Sequence, residues 1–209
     1  MCMMTNMGRP AHTSWQRQLG DLFTFGEARR AGLSQRTFYK LRDEGEIVAI
    51  AHGLYRRACA DVGDLDLVEI AERAPSATLC LETALSRHGL IDSIPAAIDI
   101  AIPRGSTRPA LAASTRLHSF DPTTFELGRE AVDIGARRPL HVYSPERSII
   151  DAVRLRHAQG SDLAWEALRR WVATPGKNPD KLVRLAARFH GAEDPIRSPS
   201  TSYRDGLAP

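Results

Sequence analysis

Cysteine is scarce: the chain has three in 209 residues, Cys2, Cys59 and Cys80, with no CxxC spacing and an odd count. That excludes a zinc ribbon or a disulfide framework, and it reads Cys59 and Cys80 as small semi-buried side chains in a reducing cytoplasm. No apolar run approaches the roughly 20 residues that cross a bilayer. The opening MCMMTNMGRP lacks the apolar core of a secretory signal. Residues 1–13 therefore read as disordered, and their several methionines leave the start codon open. A large excess of one charge is lacking too. The net charge of +3 and pI near 9.0 are only mildly basic, so affinity for phosphate must come from local clustering.

Catalytic signatures are also missing. The seven histidines form no HExxH and no i, i+4 pair, and there is no G-x-S-x-G, P-loop or G-x-G-x-x-G. Asp64-Leu65-Asp66 has the Asp-x-Asp form of a nucleotidyltransferase metal site, but no Gly-Ser turn precedes it. Residues 65–74 have helical period, so this pair is better read as a helix N-cap. His118 and His141 fall on expected strands as structural groups, and His88 precedes Gly89 at a helix end. The expectation is a protein that binds, without cofactor or metal, rather than an enzyme.

What is present is a strongly punctuated stretch from Phe23 to Arg57, FTFGEARRAGLSQRTFYKLRDEGEIVAIAHGLYRR. Thr24 caps a short helix through Ala31, Gly32-Leu33 makes a turn, and Ser34 caps a second helix that stops at Gly45. Phe38 and Leu41 face inward with Leu33. Gln35, Arg36, Tyr39 and Lys40 fall on the outer face. Residues 47–50 and 54–57 read as two short strands turning at Ala51-His52-Gly53, with Tyr55 beneath them. These elements spell a winged helix-turn-helix over 14–62, whose first helix is Ser14 to Leu22 with Trp15, Leu19 and Leu22 on one side. Between Ser14 and Arg57 there are eight basic against five acidic residues, an excess of three that equals the excess of the whole chain.

Downstream, the pattern becomes a mixed α/β domain over 63–190. Helices are expected at 65–74, with Leu67, Ile70 and Ala71 inward, and at 82–88. Strands are expected at 97–102, 116–120, 131–134 and 140–143. Ser144-Pro145 opens a further helix through Ile149, Ile150, Val153 and Leu155, and two more follow near 162–173 and 179–189. Residues 191–209, rich in Pro, Ser and Gly, read as a flexible tail. The fold class is mixed α+β, with a winged-helix head and a larger α/β domain.

Four segments in this order carry a family resemblance: GLSQRTFYKLRDEGEI with HGLYRR, then ETALSRHGL, IDIAIPRG and VYSPERSIIDAV. Together they resemble the AbiEi-type antitoxins, the winged-helix partners of nucleotidyltransferase toxins in bacterial type IV toxin–antitoxin pairs. The resemblance implies an N-terminal domain on double-stranded DNA at its own promoter and a C-terminal domain that neutralises the toxin. By position, it puts DNA contact on Ser34, Gln35, Arg36, Thr37, Tyr39 and Lys40 of the helix and on His52, Arg56 and Arg57 of the wing. Chemically, Arg36 suits guanine, Gln35 suits adenine, and Lys40, Arg56 and Arg57 suit phosphates. Glu27, Asp43 and Glu44 are expected to face away. The alternative is a winged-helix regulator or protein-interaction module unconnected with a toxin.

The later half offers two features for a partner. Arg137, Arg138, Arg147, Arg154, Arg156, Arg169 and Arg170 form an Arg-rich set that reads as a basic surface for a protein partner or for DNA. Trp165 and Trp171 lie six apart on one helix, toward opposite faces. The ordinary reading packs both of them, and the sharper one exposes an indole for the partner.

Overall fold

The computed structural model describes residues 15, 18–60 and 63–197. The expected disordered start, residues 14, 16 and 17 of the expected first helix and the end of the tail lie outside those residues. The chain forms two compact units. The first gathers Met1–Pro75, Ala110–Ala113 and Asp133–Pro139, and the second gathers Ser76–Pro109, Ser114–Val132 and Leu140–Pro209.

In the first unit, β1 (Leu22–Thr24) leads into α1 (Phe25–Arg30) and α2 (Gln35–Asp43). These are followed by β2 (Ile47–Ala51), β3 (Leu54–Arg57) and α3 (Leu65–Arg73). The helix starts are fixed by side-chain caps. Thr24 and Glu27 form a capping box, with the Glu27 N–H on Thr24 Oγ1 at 3.3 Å and the Thr24 N–H on Glu27 Oε2 at 2.7 Å. Ser34 Oγ accepts the Thr37 N–H at 3.0 Å, and Gly45, at φ +75°, ends α2. Trp15, Leu19, Phe23, Ala28, Leu33, Phe38, Leu41 and Ile47 make the core. Leu22 corrects the sequence reading: it lies in β1 opposite Arg56, not on the first helix. The three antiparallel strands run in the order β1-β3-β2, with a bulge between Ala49 and Ala51. Two capped helices and this sheet are compatible with a winged helix.

Helix α3 falls within the first unit. Asp64 caps it as expected, accepting the N–H groups of Asp66 and Leu67 at 3.0 and 3.3 Å. Buried Glu69 accepts the backbone N–H groups of Ala112 and Ala113 at 2.9 Å. Arg137 bridges Glu72 at 2.8 Å and Glu27 at 2.7 Å. Carboxylates on α3 therefore collect two segments that are distant in sequence, which no local pattern reveals. Of the expected inward set, Ile70 and Ala71 are buried and Leu67 only half so. Val68 and Glu69 complete the buried face.

The second unit is a five-stranded mixed sheet with helices. Its strands are β4 (Thr78–Leu79), β5 (Ile98–Pro103), β6 (Thr115–Phe120), β7 (Arg129–Val132) and β8 (Leu140–Tyr143), in the order β6-β5-β4-β8-β7. Pairings β4/β8 and β5/β6 are parallel, and β4/β5 and β7/β8 are antiparallel. The helices are α4 (Leu81–Arg87), α5 (Pro122–Phe125), α6 (Pro145–Arg154), α7 (Arg156–Gln159), α8 (Ser161–Ala173), α9 (Pro179–Ala186) and α10 (Glu193–Arg197). Ser144 and Pro145 open α6 as expected. The alternation in β5 does not leave one face in water: Asp99 to Ile102 are all buried, and Asp99 is met by Arg116 at 3.1 Å and His118 at 2.8 Å.

Two expectations for this unit are corrected, and the ordinary reading of the two tryptophans holds. Trp165 and Trp171 are both buried in one cluster with Leu85, Ile149, Val153, Leu182 and Phe189. Six residues leave their directions about 120° apart, which a core wrapping α8 accommodates. The tail is packed as far as Arg197, with Ile196 seated in the same cluster. The Arg-rich set is mostly not a free surface. Arg147 is fully buried, with Nε on Asp151 at 2.8 Å and Nη1 on the carbonyls of Thr124 and Leu127 at 2.6 and 2.8 Å. Its guanidinium also covers the rings of Tyr143 and Phe189 at 4.2 and 4.3 Å. Arg154 pairs with Asp151, Arg156 with the Val153 carbonyl, and Arg170 with Asp92 and Glu166. Burial pushes the Asp151 carboxyl up, against the pull of Arg147 and Arg154.

Among the described residues, removing Arg147 leaves that buried carboxylate with Arg154 as its one remaining cation. Arg147→Ala is expected to lower stability by about 3–5 kcal/mol in urea unfolding followed by tryptophan fluorescence; a loss below about 1 kcal/mol contradicts this. Glu27 supplies a pH test. The Thr24 N–H holds its carboxyl below the ordinary value of 4.5, with Arg137 adding to that. A depressed carboxyl stabilises fully above its unfolded value and loses that contribution as pH falls through the folded one. The stability gap between wild type and Glu27→Gln should therefore close on acidification below 4.5. A gap that persists in acid would mean that the charge is not what matters there.

Candidate nucleic-acid interface

The outer face of α2 is defined by what its inner face buries. Phe38 and Leu41 have no exposed surface, which turns Gln35, Arg36, Tyr39 and Lys40 to solvent and leaves Thr37 half-buried. Gln35 and Arg36 stand in the first turn, the part of a recognition helix that reaches base edges. Ser34 and Thr37 belong to the cap itself, with their hydroxyls 2.8 Å apart.

Tyr39 is 38% exposed and lies flat against Phe25, with centroids 6.1 Å apart at 26°. The Arg42 guanidinium covers the same ring at 4.8 Å and pairs with Asp43 at 3.1 Å. Arg42 was not in the set expected from sequence, although its i, i+3 spacing from Tyr39 carries the signal. Lys40 pairs with Glu44 at 3.8 Å, both side chains well exposed. Glu44 therefore shares a flank with Lys40 instead of facing away, because i, i+4 places them together. A pair this exposed is weak, and phosphate can displace its carboxylate.

The wing residues are placed differently. His52 is exposed on the β2–β3 turn, and its carbonyl accepts from Arg73 at 3.2 Å. Arg56 is committed to the backbone: Nη1 donates to the carbonyls of Arg57, Ala58 and Ala60 at 3.3, 3.2 and 3.2 Å. Arg57 pairs with Asp21 at 2.6 Å. These two arginines fasten the exit of β3 and the chain ahead of β1, instead of standing out as cations. Asp21 lies 36 positions away in sequence, so only the fold reveals that partnership. The structure thus turns Gln35, Arg36, Tyr39 and Lys40 outward on α2, keeps Ser34 and Thr37 in its cap, and sets the wing arginines to a structural task.

Among the described residues no group of three His, Cys, Asp or Glu side chains could hold a metal ion. No helix is long and apolar enough to cross a membrane among those residues. Burial pushes the Cys80 thiol well up, which suits an inert packing role.

Comparison with known proteins gives a family match over part of the chain. Residues 13–58 match the family model described as transcriptional regulator, AbiEi antitoxin. No match is found among curated proteins. Among solved structures, the RV2827C protein from Mycobacterium tuberculosis is similar with a TM-score of 0.55 and 18% identity. The likeness covers 82% of this chain and 68% of that one, and at that identity it speaks for the fold alone. The matched segment contains Thr24, Ser34, the whole of α2 and the two strands after it, and over that segment the chain is similar to the AbiEi antitoxin transcriptional regulators.

Proposed function

We propose that this chain is the DNA-binding antitoxin of a bacterial toxin–antitoxin pair, which represses its own promoter and counters a nucleotidyltransferase toxin. One observation carries the DNA half: inside the family-matched segment, a doubly capped helix presents Gln35, Arg36 and Lys40 outward from a buried Phe38. Such a helix, anchored from behind, holds its donors still while they meet a groove, so less side-chain and backbone freedom is lost on binding. Arg36 donates two hydrogen bonds to guanine, Gln35 reads adenine, and Lys40 and His52 lie on backbone phosphates. Arg56 and Arg57 support this face by fixing β3. The toxin half rests on the family match, whose members are antitoxins.

Arg36→Ala is expected to cost about 1–3 kcal/mol on the preferred site and to flatten base preference at one position, read by competition with substituted duplexes. Lys40→Ala should weaken all duplexes alike and lower the slope of log affinity against log salt by about one. Arg56→Ala, by contrast, should lower thermal stability and leave that slope unchanged. A slope that drops for Arg56→Ala as it does for Lys40→Ala would put Arg56 on the phosphates after all.

A further inference from the structure

Most arginines of the second unit are occupied by the fold, and a few cations near its C-terminal end are not. Helix α9 buries Leu182 and Ala186. Lys181 and Arg184 are exposed on its other side, Arg188 is exposed in the turn that follows, and Lys177 is exposed just before its cap, Asn178. On a helix, positions 181 and 184 lie about 60° of arc and about 4.5 Å of length apart. Among the described residues none of these four side chains has an ion pair or hydrogen bond. Arg147, Arg154, Arg170 and Arg197 all have carboxylate partners. The nearby acids do not neutralise the row: Asp180 sits in the first turn of α9, about 100° round from Lys181, and Glu193 pairs with Arg197.

Like charges at helical spacing repel and weaken the helix that carries them. A row kept without counter-charges is suited to a polyanion. The outward positions Lys181 and Arg184 of α9, and Ala187 and Arg188 just after it, offer no large apolar or aromatic side chain. Protein partners are held chiefly by such anchors, whereas phosphates need only cations at helical spacing.

We propose that the face of α9 formed by Lys181 and Arg184, with Lys177 ahead of it and Arg188 in the turn after it, is a second nucleic-acid contact that binds backbone phosphates without reading bases. It extends the DNA-binding reading above and rests on it for the identity of the nucleic acid. The contact adds affinity and salt dependence, and selectivity stays with α2.

The test uses the full chain, the duplex upstream of its own gene and a scrambled duplex of equal length, titrated with salt. The combined Lys181→Ala, Arg184→Ala, Arg188→Ala variant is expected to lose two to three units of salt slope, about 0.9 per contact. Affinity should fall by an equal factor, on the order of tenfold or more, for both duplexes. A charge-retaining control, Lys181→Arg with Arg184→Lys and Arg188→Lys, should restore the slope, which separates charge from folding. If the alanine variant keeps the wild-type slope while Arg36→Ala loses base preference, this proposal falls and the DNA reading stands. If the alanine variant loses slope while Arg36→Ala and Lys40→Ala change nothing, the proposal stands and the role of α2 falls. Failure of the wild type to bind either duplex overturns both. Loss of poly-glutamate binding with DNA binding intact would assign the face to an acidic protein and overturn the proposal.

Discussion

Phe38 has no surface in water and meets three rings edge-on, Phe25 at 4.8 Å, Tyr55 at 4.9 Å and its neighbour Tyr39 at 5.7 Å. These contacts fix the roll of α2 about its own axis. Phe25 is the first residue of α1 and Tyr55 lies in the middle of β3, so one side chain ties together the first helix, the second helix and the wing. Truncating a buried phenylalanine typically costs about 3–5 kcal/mol, a large share of what a small domain has to spare. Rotation by one residue would carry Phe38 into solvent and Gln35 or Arg36 toward the core. The outward set follows from the inward one, and the proposed chemistry of the face depends on it.

The caps decide where α2 begins, which matters as much as how it rolls. Ser34 closes on Thr37 and thereby places Gln35 and Arg36 in the first turn, where partial positive charge from the helix end adds to attraction for phosphate. The ion pairs elsewhere have a different task. Glu27, Glu72 and Arg137 hold segment 133–139 within the first unit, and Arg147 with Asp151 fastens α6 to the carbonyls of Thr124 and Leu127. Gly128 is required beside it, since a Cβ there would stand 2.7 Å from the Cβ of Arg147. Arginine count is therefore a poor guide to basic surface in this chain.

The short-range signals were legible. Thr24, Ser34, Asp64, Ser144 and Gly45 each punctuate a helix where the residue type alone places it, and the inward pair Phe38 and Leu41 follows from spacing. What escaped was long-range. Nothing local in Arg57 names Asp21 as its partner, and nothing in Glu69 names the amides of Ala112 and Ala113. Charge patterns in a sequence do not say which cations are already neutralised. That is why Arg56, Arg57 and Arg147 read as surface groups and proved to be fasteners. Leu22 marks another limit: a three-residue strand beside a helix is too short to show a period.

The central claim is that α2 meets DNA through the residues its packing turns outward. The most direct measurement is an NMR titration of the full chain with the duplex upstream of its own gene, following backbone and side-chain signals residue by residue. The account predicts the largest changes at Gln35, Arg36, Thr37 and Lys40, with Phe38 and Leu41 signals little moved and the Arg56 guanidinium unchanged. Binding that shifts signals elsewhere and leaves Ser34 to Lys40 where they were would contradict it.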